Sequence, residues 1–177
     1  MRIIAGDLKG RRLKNLKGQA IRPTSDKVKG AIFSVLDTKV LSARVLDLFA
    51  GTGNLAIEAL SRGAASAVLV DASRQAVQLM RDNLQNLERS SQARIVHEDA
   101  RQFVRRTEEL FDLVFLDPPY HHGLLQTVLP DLQGKVSPLG VIVAETAQDD
   151  VFTVEPFELR IVKEYGGTKV WFLQNPE

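Results

Sequence analysis

The hydrophobic pattern of the chain alternates between short apolar runs and longer amphipathic stretches. Apolar runs of four or five residues, typical of buried strands, are predicted over 45–49, 67–70, 94–97, 113–116 and 141–144. Apolar residues at helical spacing predict helices over 24–41, 54–61, 74–88, 100–110 and 124–132. Strands that alternate with helices predict an α/β domain whose parallel sheet has helices on both faces.

The two ends of the chain depart from this alternation. Strands over 159–163 and 169–173, joined by Gly166 and Gly167, predict a terminal antiparallel hairpin. Near the start, apolar residues around Gly6 and Gly10 predict a short β-hairpin. We therefore expect a single domain over 1–177, with a basic N-terminal arm and helix over 1–41 and an α/β core over 42–177.

The composition is that of an ordinary globular protein, because 44% of the 177 residues are hydrophobic and 25% are charged. The absence of cysteine excludes a disulfide scaffold, a thiolate metal site and cysteine-based catalysis. The sequence has no signal-peptide pattern and no apolar run of the ~20 residues that a membrane span needs. We expect a cytoplasmic protein with no membrane partner, and nothing in the sequence demands more than a monomer.

Positive charge is concentrated at one end of the chain. The net charge is +1, but residues 1–30 hold nine basic and two acidic residues. This segment therefore carries +7, and the rest of the chain carries −6. A basic arm on a mildly acidic body indicates a polyanionic partner such as nucleic acid, although a solvated charged surface would have the same composition.

A glycine-rich turn follows the first predicted strand of the core. Gly51, Gly53 and Ala56 fit the pattern G-x-G-x-x-A, in which small residues let the backbone and a helix start approach a nucleotide. Asp71 and Asp99 end the next two strands, where they could bind ribose hydroxyls and an adenine amino group. Ligands of parallel sheets bind beyond the carboxyl ends of the strands, so these residues should converge. Taken singly, the turn and the two acids also fit a tight strand–helix connection and helix caps.

The most specific motif is Asp117-Pro118-Pro119-Tyr120, which ends the fourth strand. The two prolines fix the backbone and remove two N–H donors, which leaves the Asp117 carboxylate and a nearby carbonyl as acceptors. Together with the flat ring of Tyr120, these acceptors suit a planar base that carries an exocyclic amine. Asp47 lies inside its strand, and we expect it to face the amino-acid part of a ligand or to brace the glycine turn.

His121 and His122 follow this motif directly. Adjacent histidines rarely chelate one ion and no third ligand has suitable spacing, so we expect no metal. A loop that closes over a target base, with Gly123 as its hinge, fits the sequence better.

Two segments resemble a known superfamily. D-L-F-A-G-T-G-N-L at 47–55 and D-P-P-Y at 117–120 are similar to class I S-adenosylmethionine-dependent methyltransferases that act on exocyclic amines. The blocks R-P-T-S-D-K-V at 22–28, E-A-L-S-R-G-A at 58–64 and D-P-P-Y-H-H-G-L-L at 117–125 are narrower. They resemble the RsmD family over essentially the whole chain. The family consists of bacterial enzymes, and the resemblance implies methylation of N2 of a guanine, of the guanine-966 type, in 16S ribosomal RNA.

The resemblance implies a Rossmann-like sheet of seven strands, mostly parallel, with the last strand antiparallel. It implies S-adenosylmethionine as cofactor and, as partner, 16S rRNA in the small ribosomal subunit or its assembly intermediate. The implied cofactor-binding residues are Asp47, Phe49, Ala50, Gly51, Thr52, Gly53, Asp71, Ala72, Asp99, Ala100 and Asp117. The implied catalytic residues are Asp117, Pro118, Pro119 and Tyr120. With the charge pattern added, the expected RNA-binding residues are Arg11, Arg12, Lys14, Arg22, Thr24, His121 and His122. One departure is Gly30, where family members usually carry Glu.

Three other hypotheses remain open. An NAD(P)-dependent oxidoreductase is compatible with the glycine turn and Asp71, although no residue set for moving a proton is evident. A methyltransferase could act on another amine, such as adenine N6 in DNA or RNA, or a protein glutamine, although 177 residues leave no room for a DNA-recognition insertion. A noncatalytic RNA-binding or assembly protein could retain the same fold, although the intact Asp117, Gly51 and Gly53 favour catalysis.

Overall fold

The computed structural model describes residues 1–16, 24–120 and 123–177. A seven-stranded sheet lies at its centre, with the strand order β3-β2-β1-β4-β5-β7-β6. The strands are β1 (Arg44–Asp47), β2 (Ser66–Asp71), β3 (Ala93–His97), β4 (Phe111–Leu116), β5 (Val136–Ala147), β6 (Glu158–Tyr165) and β7 (Thr168–Gln174). Strands β1 to β5 pair in parallel, and β7 runs antiparallel to both of its neighbours. The predicted sheet, including its antiparallel last strand, is confirmed.

Helices cover both faces of this sheet, as predicted. They are α1 (Asp26–Leu36), α2 (Asn54–Ser61), α3 (Arg74–Asn86), α4 (Ala100–Arg106) and α5 (Leu124–Val128). The first three contribute Ile32, Ile57 and Met80 to one apolar layer, while α4 contributes Phe103 to the other. Because both faces are buried, the central strands are almost continuously apolar. None of the helices within the described residues is long and apolar enough to cross a membrane.

Three helices end earlier than the hydrophobic pattern predicts. The helix expected to reach residue 41 stops before Asp37, whose φ of 49° is left-handed, and Asp37–Val40 form a 3-10 turn instead. The helix expected to reach residue 110 stops before Thr107, which has extended backbone. The helix expected to reach residue 132 tightens into a 3-10 turn at Leu129–Leu132, because Pro130 lacks an N–H for the helical ladder.

The first 16 residues form an arm that is a hairpin only in outline. Within this segment Arg2 and Arg12 make one isolated antiparallel bridge, with no regular strand on either side. The N–H groups of Ile4 and Ala5 donate instead to the carboxylate of Glu58 in α2, at 2.9 and 3.1 Å. Three backbone hydrogen bonds, Ile3 N–H to Arg11, Gly10 N–H to Ile3 and Leu13 N–H to Met1, pair the two sides of the arm. The predicted β-hairpin is therefore present in irregular form, and its backbone is also bound to a helix.

Glu58 also joins the arm to one buried and one half-buried cation. It is fully buried and lies 3.1 Å from Nζ of Lys29 in α1 and 2.9 Å from Nε of Arg62. Beside it, a Cβ on Gly6 would lie only 1.9 Å from the carbonyl oxygen of Ser61, so only glycine fits there. These contacts fix the arm against α1 and α2.

Candidate active site

The turn between β1 and α2 has the backbone that its glycines were expected to provide. Gly51 and Gly53 have φ values of 56° and 83°, and the Gly53 N–H donates to the Ala50 carbonyl at 2.8 Å. Asp71, at the end of β2, accepts the Gly51 N–H at 2.9 Å with one carboxylate oxygen and the Ser73 N–H at 2.9 Å with the other. Asp71 therefore braces the turn from the neighbouring strand.

A cavity lies beside this turn, at the carboxyl ends of β1 and β4. Six of the predicted cofactor residues line it, namely Asp47, Phe49, Ala50, Gly51, Thr52 and Asp117. Five residues that were not predicted to bind the cofactor complete the lining, namely Asn15, Leu16, Thr24, Asn54 and Leu55. Strand, turn, helix and arm thus contribute to one cavity.

The other predicted cofactor residues lie outside this lining. Gly53 is the buried N-cap of α2, and Asp71 is next to the cavity through its bond to the turn. Asp99 is exposed and caps α4, since its carboxylate accepts the N–H of the third residue on at 3.1 Å. Ala100 is buried behind it, and Ala72 is exposed. A contact of these residues with ribose and adenine stays a prediction.

Asp47 has the character of a ligand-binding acid. Its side chain is 1% exposed, and its Oδ1 has no hydrogen-bond partner among the described residues. Burial, with the nearby charges of Asp117 and Asp71, raises the pKa of Asp47 to about 8. A buried carboxyl with one unpartnered oxygen suits a positively charged donor, because an ammonium beside it would favour its ionised form. Asp47 therefore suits the ammonium group of a cofactor with an amino-acid end, such as S-adenosylmethionine.

Asp117 is tied to two side chains from other elements. The Thr24 hydroxyl oxygen lies 2.9 Å from Oδ2 of Asp117 and 2.9 Å from Oε1 of Glu145 in β5. A hydroxyl has one hydrogen, so Thr24 can donate to only one of the two carboxyl groups. The other carboxyl group is therefore protonated and donates its hydrogen to the Thr24 oxygen. Burial raises the pKa of Asp117 to about 6, and burial beside Asp117 raises the pKa of Glu145 well above its usual value. Both shifts have the same direction, so burial and the closeness of the two carboxyl groups favour one proton on the Asp117–Glu145 pair.

A second cavity, of about 260 Å³, lies on the other side of the Asp117 motif. Pro118, Pro119 and Tyr120 form one wall, and Glu145 and Phe152 contribute to the rest. The Tyr120 hydroxyl lies 3.0 Å from the hydroxyl of Thr168 in β7, and the Phe152 ring packs edge-on against Trp171 at 4.9 Å. Proline and aromatic side chains together with the carboxyl group of Glu145 suit a planar ring that carries hydrogen-bond donors.

The predicted RNA-binding residues have different environments. Arg11, Arg12 and Lys14 are exposed on the arm, where the Arg11 guanidinium donates to the carbonyl of Asn86 at 3.0 Å. Thr24 is buried, with its hydroxyl between two carboxyl groups. The remaining three lie outside the described residues: Arg22, His121 and His122.

Glu145 is the main site residue that the sequence analysis missed, and a signal for it exists. It follows the apolar run at 141–144 directly, as Asp71 and Asp117 follow theirs. Glu145 could therefore have been identified from the sequence as an acidic residue that directly follows the apolar run of a parallel strand. Within the described residues, no group of three or more His, Asp or Glu side chains could hold a metal ion.

Comparisons with known proteins agree with this geometry. The family described as "Conserved hypothetical protein 95" matches residues 1–174. YlbH of Bacillus subtilis (strain 168) is 41% identical over 150 residues, which are 82% of each chain. Ribosomal RNA small subunit methyltransferase D of Haemophilus influenzae is 34% identical over 169 residues, covering 93% of this chain and 87% of that one. The solved structure of yhhF from Escherichia coli has a TM-score of 0.89 at 33% identity, covering 99% of this chain and 97% of that one. The chain therefore belongs to the RsmD family, whose sequences are described as conserved hypothetical protein 95.

Proposed function

We propose that this protein methylates the exocyclic N2 amine of a guanine in 16S ribosomal RNA, with S-adenosylmethionine as methyl donor. The observation that carries the proposal is the position of Asp117 between two cavities. Asp117 lines the cavity beside the glycine turn, and the prolines that follow it line the second cavity. A cofactor in the first cavity and a base in the second would therefore meet at this carboxylate.

The residues around Asp117 suit an amine nucleophile. Asp117 and the carbonyl left free by Pro119 accept the N–H groups of the base, which directs the nitrogen lone pair toward the cofactor. Tyr120 offers its ring to the face of the base. When bound, the cofactor would supply a methyl group from a positively charged sulfur to this nitrogen. The amine proton then leaves to Asp117, whose pKa of about 6 allows it to accept and release a proton near neutral pH.

Ribosomal RNA as the substrate is supported by the relatives and by the charge of the arm. The Haemophilus relative is named for the small ribosomal subunit RNA, and the segment 1–30 carries nine basic residues. Family membership favours methyl transfer over the hydride transfer of an NAD(P)-dependent oxidoreductase.

Transfer of labelled methyl from S-adenosylmethionine to three acceptors tests the proposal. The acceptors are small subunits that lack guanine-N2 methylation, protein-free 16S RNA, and duplex DNA. We expect label in one or both RNA acceptors, located on guanine N2 after digestion to nucleosides. Label on adenine N6 or only in DNA would contradict the proposed substrate. Cofactor binding without any transfer would favour a noncatalytic protein.

Asp117→Ala separates catalysis from cofactor binding. We expect kcat to fall about 100-fold or more, because the variant no longer accepts the amine N–H or its proton. The Kd for S-adenosylhomocysteine, measured by calorimetry, should change little. Retention of wild-type kcat would refute the catalytic role of Asp117.

A further inference from the structure

We propose that Asn54, oriented by the buried Lys29, binds the carboxylate at the amino-acid end of the cofactor. This inference rests on the proposed function, which supplies the cofactor. The inference assigns a role to Asn54 and Lys29, for which the sequence motifs predicted no role.

Asn54 presents an unpartnered donor to the cofactor cavity. It is the first residue of α2, its side chain is 7% exposed, and it lines the cavity beside Asp47. Its Nδ2 is buried and has no hydrogen-bond partner among the described residues. A buried amide N–H that lacks a partner is costly, so the position favours a ligand with an acceptor.

Lys29 determines which end of the Asn54 amide remains available. The Lys29 side chain is fully buried, and Nζ lies 2.8 Å from Oδ1 of Asn54, 2.7 Å from the Arg2 carbonyl oxygen and 3.1 Å from Oε1 of Glu58. An ammonium has three donors and no acceptor, so only the amide oxygen can face it. The NH2 group of Asn54 is therefore the end left for a ligand.

The complementary acceptor lies in the same cavity. Oδ1 of Asp47 is also buried and unpartnered within the described part of the chain. One unpartnered donor and one unpartnered acceptor match the carboxylate and the ammonium of an amino acid. The start of α2 adds backbone N–H groups and the positive end of the helix dipole on the carboxylate side.

Two ligands that differ only at this end test the assignment. S-adenosylhomocysteine has the amino-acid end, and 5′-deoxy-5′-methylthioadenosine lacks it. Calorimetry gives the Kd of both for the wild type, Asn54→Ala and Asn54→Asp. The Asp variant keeps an acceptor for Lys29 but replaces the free NH2 group with a carboxylate oxygen. Asn86→Asp, on the exposed end of α3, is the matched control for the charge change.

We expect both Asn54 variants to weaken S-adenosylhomocysteine binding about 10- to 100-fold, the effect of one hydrogen bond to a charged group. The Kd for methylthioadenosine should stay within about twofold of wild type, since no carboxylate is present. Thermal unfolding of each variant shows whether it is folded, and Asn54→Asp alone suffices if Asn54→Ala is not.

Equal losses for the two ligands, or no loss for either, would overturn the role of Asn54, because a water molecule or the fold would then account for its NH2 group. Failure of the wild type to bind S-adenosylhomocysteine would overturn the proposed cofactor itself. The two failures are therefore distinguishable.

Discussion

Three carboxyl groups, those of Asp47, Asp117 and Glu145, are grouped at the carboxyl end of the sheet. Asp117 raises the pKa of both of the others, and Asp47 also raises the pKa of Glu145. Such a cluster opposes its own ionisation when the site is empty of cations. A cofactor that carries an ammonium and a sulfonium would relieve this repulsion, so binding of the cofactor and release of protons should be coupled.

Asp47 gives the clearest test of that coupling. Its pKa of about 8 makes it predominantly protonated at pH 7 without ligand, and an ammonium beside it favours the ionised form. S-adenosylhomocysteine should therefore release about one proton at pH 7 and bind more tightly as pH rises toward 8. Calorimetry in buffers of different ionisation enthalpy measures the release. Asp47→Asn should abolish it and weaken binding, whereas a wild type that releases no proton would contradict the assignment.

If Glu145 carries the shared proton of the pair, its side chain has a separate effect on kcat. Glu145→Ala removes the donor that completes the Thr24 and Asp117 arrangement, and we expect kcat to fall about 10- to 100-fold. Glu145→Gln should lose less, since an amide N–H can donate in place of the carboxylic acid. Single-turnover methyl transfer compares these variants with Glu108→Gln, a control on the exposed segment after α4. Equal losses in the Ala and Gln variants would refute a protonated Glu145.

At the scale of elements, the central strands and the α2 boundaries could be predicted because their burial gives them a clear hydrophobic signature. The helix ends could not be predicted equally well. They depend on the backbone of single residues, such as the left-handed Asp37 and the extended Thr107, which periodicity does not report. The arm was predicted as a hairpin, but the sequence did not indicate that the N–H groups of Ile4 and Ala5 bind Glu58, which is 54 residues away from Ile4.

The same limit applies to the candidate site. The glycine turn and the Asp117 motif are local in sequence and were predicted as such. The Thr24–Asp117–Glu145 unit joins residues 93 and 121 positions apart, and the Lys29–Asn54 bond joins two helices. Such pairs arise from the packing of α1 beside α2 and from the pairing of β4 with β5, so one sequence contains no pattern for them.

Gly30 offers a stability test within α1. A Cβ at this position would meet nothing within 4 Å, so Gly30→Ala should stabilise the protein by about 0.5–1 kcal/mol through helix propensity. Gly10→Ala is the matched control, because its surroundings are equally open but its φ is 84°. There alanine should destabilise by about 1–2 kcal/mol. Urea denaturation measures both, and a destabilised Gly30→Ala would show that α1 needs glycine at this point.

At the scale of the whole molecule, the basic arm and the two cavities belong to one continuous structure. Arg11, Arg12 and Lys14 are exposed on the arm, and the Lys14 N–H donates to Oδ1 of Asn83 in α3 at 2.8 Å. The arm is therefore held on the core with its basic side chains in solvent. This arrangement suits phosphate contacts that position RNA without reading its sequence.

Reversal of the arm charges tests this contact. The triple variant R11E/R12E/K14E should weaken RNA binding and reduce the slope of log K against log salt by about 2, since each lost phosphate contact contributes ~0.7. The variant K39E/R160E/K163E makes the same charge change at exposed positions outside the arm and is the control. Filter binding across a salt series measures both slopes. Identical slopes for the wild type and the arm variant would exclude the arm from the RNA contact.

Asn15 and Leu16 continue the arm into the wall of the cofactor cavity, one residue beyond Lys14. If RNA or cofactor repositions this short stretch on binding, it changes the affinity of the protein for the other ligand. The two binding equilibria then have a coupling free energy. Thermodynamic linkage then requires reciprocity: the factor by which RNA changes cofactor affinity equals the factor by which cofactor changes RNA affinity. A favourable coupling free energy between S-adenosylmethionine and RNA would retain the cofactor-bound enzyme on unmodified RNA. An unfavourable coupling for the demethylated cofactor would promote release after a single turnover.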